Sequence, residues 1–130
     1  MRVTRVSKRV RLTRHQSLKY QLLTELVFLR EQPLISYDLD ILAFLALHAQ
    51  VELRHFCTLA ARELHPDTTP EKFSLRQQHI RNRVGVLARR QLILKHKPAT
   101  GKTTLQLSPD LGIVLPDENP VLLDFQFLTQ

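Results

Sequence analysis

Tryptophan is absent from this 130-residue chain, and one cysteine, one methionine, three glycines and 6% aromatic residues are the next scarcities. The lone Cys57 excludes an internal disulfide and a cysteine-rich zinc site; it suits a reducing compartment, with the cytoplasm as the expected location. So few aromatics leave no stacking platform for single-stranded RNA. Long apolar runs are missing as well. The most hydrophobic stretch, Leu34 to Leu47, is broken by Asp38 and Asp40 and falls short of the roughly 20 residues a bilayer requires. The start, Met1-Arg2-Val3-Thr4-Arg5, leads into charge instead of an apolar signal core. Neither export nor a membrane partner is expected.

Catalytic constellations are equally hard to find. Gly101-Lys102-Thr103 resembles the end of a phosphate-binding loop, but His96 stands where the earlier glycine is needed, and strand rather than helix should follow. His55, Cys57 and His65 match no zinc spacing, and Cys57 falls on an apolar stripe that reads as core. Asp38 and Asp40 sit near a helix start, where acids favour the dipole, and form no acid and base pair. No enzymatic activity, cofactor or metal is expected.

What the chain has is positive charge, unevenly placed. Lys and Arg number 19 against 12 acids, giving +7 and a pI near 10.2. Residues 1 to 20 hold seven bases and no acid, and residues 53 to 103 carry a net +8. Residues 31 to 52 and 104 to 130 each carry −4. Two basic surfaces separated by an acidic or apolar scaffold point to a polyanionic partner, nucleic acid first.

With 43% hydrophobic residues the chain has material for one packed core. A basic arm, 1 to 16, precedes a domain spanning 17 to 113, and an acidic and apolar tail covers 114 to 130. From Ser17 a helical stripe runs through Leu18, Leu22, Leu26 and Leu29 to Pro33; its further apolar residues Leu23, Val27 and Phe28 suggest a dimer contact. Ser36 is a plausible N-cap for a second, buried helix containing the run from Ile41 to Leu47. Leu53, Phe56, Cys57, Ala60 and Leu64 mark a third, ending at His65-Pro66. The fourth starts at Pro70 after Thr69, or near Ser74, and ends near Gln91, with Ile80, Val84 and Leu87 on its inner side. Beyond it the period falls to 2 around Leu92 to Lys95 and Thr104 to Leu107, two strands joined by a Pro- and Gly-containing loop. The fold class is α+β, mostly helical.

Helices two to four followed by a basic hairpin, with Ile80-Arg81-Asn82-Arg83-Val84-Gly85-Val86-Leu87-Ala88-Arg89-Arg90-Gln91-Leu92-Ile93-Leu94-Lys95 running from helix into strand, resemble the winged helix-turn-helix proteins of bacteria and phages. The resemblance spans about residues 36 to 108. It implies a winged helix with an extra N-terminal helix, a two-stranded wing and a recognition helix near 74 to 91. Gln91 stands where such proteins often carry glycine.

The residue types agree. Arg, Asn and Gln read base edges in a major groove about 12 Å wide. Gln78, His79 and Asn82 face away from Ile80 and Val84, while Arg76, Arg81 and Arg83 flank the stripe. Lys95, Lys97 and Lys102 on the hairpin would grip the backbone, and Arg5, Arg9 and Arg11 on the arm would strap phosphates or a minor groove, unless the arm is a paired strand. The expectation is a homodimeric, double-stranded DNA-binding regulator of transcription or replication. The alternative is a phage or mobile-element adaptor using the same scaffold for protein contact. The tail would dock on a protein partner or cover the basic face as a phosphate mimic.

Overall fold

The computed structural model describes the backbone of residues 3–117 and 121–129; Met1, Arg2, Glu118 to Pro120 and Gln130 lie outside that description. The chain begins with strand β1 (Thr4–Leu12) and continues into helix α1 (Arg14–Leu22), which runs directly into a π-helical segment, Leu23–Leu29. Helix α2 (Ser36–Ala46), the two-residue strand β2 (Val51–Glu52), helix α3 (Leu53–Leu64) and helix α4 (Pro70–Arg89) follow. Strands β3 (Ile93–His96) and β4 (Thr104–Leu107) form the hairpin, and β5 (Val121–Thr129) ends the described chain. The architecture is α+β and mostly helical.

Helix α1 starts three residues earlier than the apolar stripe suggests. Thr13 Oγ1 accepts from the Gln16 amide at 3.1 Å, and Gln16 Oε1 accepts from the Thr13 amide at 2.9 Å. This reciprocal pair satisfies two otherwise orphaned N–H groups. Leu18, Leu22 and Leu26 are fully buried as their spacing requires, but Leu29 is 70% exposed. The wider π winding, seen in the Arg30 amide bonding the Glu25 carbonyl at 3.2 Å, rotates position 29 off the stripe.

Ser36 is not the N-cap of α2. Ile35 holds that place without a side-chain bond, and Ser36 Oγ instead accepts from Lys19 Nζ at 2.8 Å. Asp38 lies in the first turn of α2, as expected of an acid near a helix start, but it is 1% exposed. Helices α3 and α4 begin and end close to where the sequence puts them, with Thr69 as N-cap and Pro70 in the first turn of α4. The core gathers Leu18, Leu22, Ile41, Leu42, Leu45, Phe56, Ile80, Val84, Leu87, Ile93 and Leu105. Each such side chain contributes about 1.5–3 kcal/mol through burial.

Strand β2 has no periodic signal, being two residues long, yet it completes a three-stranded antiparallel sheet in the order β2-β4-β3. Val51 pairs with Leu105, and Ile93 with Leu107. On β3 Ile93 points inward and Leu94 outward, the reverse of the alternation Leu92 suggests, because Leu92 is buried in the turn before the strand. That turn passes through Gln91 at φ 64°, left-handed backbone that glycine would adopt more easily.

The basic arm is a strand. It pairs antiparallel with β5 along nine positions, from Thr4 opposite Thr129 to Leu12 opposite Val121. The tail therefore lies on the arm and not on α4. Its Asp124 stands opposite Arg9.

Candidate nucleic-acid interface

Three apolar anchors, Ile80, Val84 and Leu87, fix the roll of α4 about its axis, so the opposite side of the helix must face water. Gln78 and Asn82 are exposed there, with His79 and Arg81 exposed at its two edges and Arg76 exposed beside the apolar stripe. Gln78 Nε2 donates to Asn82 Oδ1 at 2.9 Å, one turn apart, which orients both amides while leaving a donor on Asn82 and an acceptor on Gln78. The His79 ring lies 5.1 Å from the Tyr37 ring, and Tyr37 Oη is 2.9 Å from His65 Nε2. Burial, with Arg76 and His79 nearby, holds the His65 pKa below its ordinary value; burial raises that of Tyr37. This small stack joins the start of α2 to the outer face of α4.

Arg83 belongs to another structure. Its Nε and Nη2 each lie 2.8 Å from a carboxylate oxygen of Asp38. The fork and the buried carboxylate satisfy one another, and the bond raises the already high Arg83 pKa. Contrary to its place in the expected DNA face, this guanidinium is committed to packing α4 on α2. The sequence gives no sign of it, since 45 residues separate the pair.

Hairpin residues Lys95 and Lys97 are exposed, and the loop turns through Gly101 at φ 110°. Lys102 Nζ stands 3.7 Å from Glu52 Oε2, a loose pair on a side chain that is 78% exposed. Arg5, Arg9 and Arg11 lie along β1, a separate sheet from the hairpin.

One residue was not singled out by the sequence. Arg54, in the first turn of α3, lines a cleft with Arg81 of α4 and Lys102 and Thr103 of the hairpin, above Glu52 and Leu53. Three cations from three elements thus converge at the mouth of one depression. The linear signal was available, an unpaired arginine on the polar side of α3, but it carries no meaning until the hairpin and α4 are placed beside it. Cys57 lies on the inner side of α3, and burial raises its thiol pKa, so it is an unreactive core residue.

Among the described residues no group of three His, Cys, Asp or Glu side chains comes together as a metal site. No described helix is long and apolar enough to cross a membrane. No protein family, curated protein or solved structure matches the chain.

Proposed function

We propose that the chain is a winged-helix protein that binds double-stranded DNA without catalysing a reaction, with α4 in the major groove and the β3–β4 hairpin as the wing. The observation that carries this reading is the outer face of α4. It offers Gln78 and Asn82 as paired amides between Arg76 and Arg81, all exposed. Side chains that both donate and accept, set on a rigid helix and flanked by cations, suit base edges and phosphates together. The element order from α2 to β4 and the sheet order β2-β4-β3 support it, being those of a winged helix.

Phosphate contacts fall to Arg54, Arg76, Arg81, Lys95, Lys97 and Lys102. Six of them give a log affinity against log salt slope of about −5.4 on duplex DNA. Regulation of transcription or replication is the role such a module would serve. A second reading, an adaptor that contacts protein, draws on Phe28 and Leu29, which are 68% and 70% exposed beside the π turn.

Selection of bound sequences from a random duplex pool, at stated ionic strength, tests the first reading. Gln78→Ala and Asn82→Ala are expected to change the selected sequence, and Lys102→Ala to weaken all sequences alike. Three variants that bind DNA as the parent does would overturn it in favour of the adaptor.

A further inference from the structure

Gly85 is a glycine for which the fold supplies no reason. Of the chain's three glycines, Gly101 and Gly112 hold left-handed φ values of 110° and 62°, whereas Gly85 stands inside α4, in helical backbone that alanine adopts more readily. A Cβ there would meet Arg89 Nη1 at an ordinary 3.7 Å. Among the described residues no other element comes within 4 Å of that position. An interior glycine weakens a helix, and here no close packing against α2, α3 or the hairpin offsets the loss.

Its place is on the surface that the DNA reading turns towards the duplex. Ile80, Val84 and Leu87 point inward, so Gly85 falls on the outer side of α4, one turn after Arg81 and one turn before Arg89. Both arginines are exposed, and among the described residues neither guanidinium has a hydrogen bond or an ion pair. Their Cα atoms stand about 12 Å apart along the helix, with bare backbone midway between them. Arg89 already leans over this notch, and Arg81 joins it to the cleft lined by Arg54 and Lys102.

We propose that Gly85 seats one backbone phosphate of the duplex, held against the helix itself with Arg81 and Arg89 on either side. The proposal rests on the DNA reading and adds Gly85 and Arg89 to its contacts. A side chain would hold the strand away from the helix; glycine lets it approach until both guanidiniums make short, charge-assisted bonds to phosphate oxygens. Charge selects phosphate over the helix of a protein partner, since cations flank the notch and residues 53 to 103 carry a net +8. Distance agrees. Gly85 lies about 10 Å along the axis from Gln78, close to the roughly 12 Å width of a major groove, so a helix reading bases through Gln78 meets a groove wall near Gly85.

Stability and binding should therefore move in opposite directions in Gly85→Ala. Its thermal midpoint is expected to rise by about 2–4 °C with the helical circular dichroism unchanged. In fluorescence anisotropy its dissociation constant is expected to be at least about tenfold higher for duplexes of unrelated sequence. Arg89→Ala is expected to reduce the steepness of the salt dependence by about 0.9. Because both positions act on one phosphate, the double variant should bind no more than about twofold more weakly than the weaker single variant. A Gly85→Ala chain that binds duplex as the parent does overturns the proposal and leaves the DNA reading standing. So does a lowered midpoint, which would make glycine a requirement of the fold, or a double variant whose losses multiply. A parent chain that binds no duplex overturns both.

Discussion

Arg83 and Asp38 join α4 to α2 through two parallel bonds of 2.8 Å, and the carboxylate they share is 98% removed from water on its side-chain surface. The pair sets how the outer face of α4 is presented, since it fixes the helix next to its Ile80 and Val84 anchors. Removing the guanidinium leaves a buried, uncompensated charge. Arg83→Ala is expected to lower the unfolding free energy by about 3 kcal/mol, and Arg83→Lys to recover only part, because an ammonium cannot fork onto both oxygens. Urea denaturation measures both; a loss under about 1 kcal/mol would mean the pair is dispensable.

Arg54→Ala should reduce the steepness of the DNA salt dependence by about 0.9, the share of one phosphate contact, and weaken every duplex sequence equally. Fluorescence anisotropy at several salt concentrations reads the slope. An unchanged slope removes Arg54 from the interface while leaving α4 untested.

Gln91 holds φ 64° in the turn between α4 and β3. Glycine adopts that conformation without the clash of a Cβ, so Gln91→Gly is expected to stabilise the chain by about 0.5–1 kcal/mol despite its looser unfolded state. Gln91→Val should destabilise it. Thermal unfolding of the two variants beside the parent decides the matter, and a destabilising glycine would refute the strain.

The lowered pKa of His65 makes stability depend on pH. The unfolded ring takes up a proton near pH 6.5, while the folded ring resists until lower pH. Below about pH 6.5 the unfolded state therefore binds more protons, and stability falls as the pH drops towards the folded value. His65→Asn should flatten this part of the profile. Urea midpoints at pH 7.5 and 5.5 compare them, and parallel profiles would contradict the assignment.

Gln21 clasps the extended segment after β4: its Nε2 donates to the Val114 carbonyl at 2.8 Å, and its Oε1 accepts from the Val114 amide at 3.0 Å. Gln21→Ala is expected to speed hydrogen exchange at the Val114 amide at least about fivefold, the equivalent of one hydrogen bond of roughly 1 kcal/mol. Equal exchange rates would mean that other contacts hold the segment.

By itself the sequence determined the helices, because each rests on a repeating apolar stripe: Leu53 to Leu64 and Ile80, Val84 and Leu87 are local patterns that few backbones satisfy. It also determined that Gln78, His79 and Asn82 face away from the core, since a helical wheel needs no partner to be drawn. The capping box at Thr13 and Gln16 is equally local, but the apolar stripe starts the first helix only at Ser17 and misses it. Only the tertiary structure decided which cations are free. Arg83 was claimed by Asp38, 45 residues away, and Arg54 gained neighbours from α4 and the hairpin. It likewise decided that the basic arm pairs with the tail, a contact between the two ends that no window of sequence contains. Periodicity reports the face a residue occupies on its own element. Long-range partners depend on how the elements pack in three dimensions, and burial of a charge is decided there.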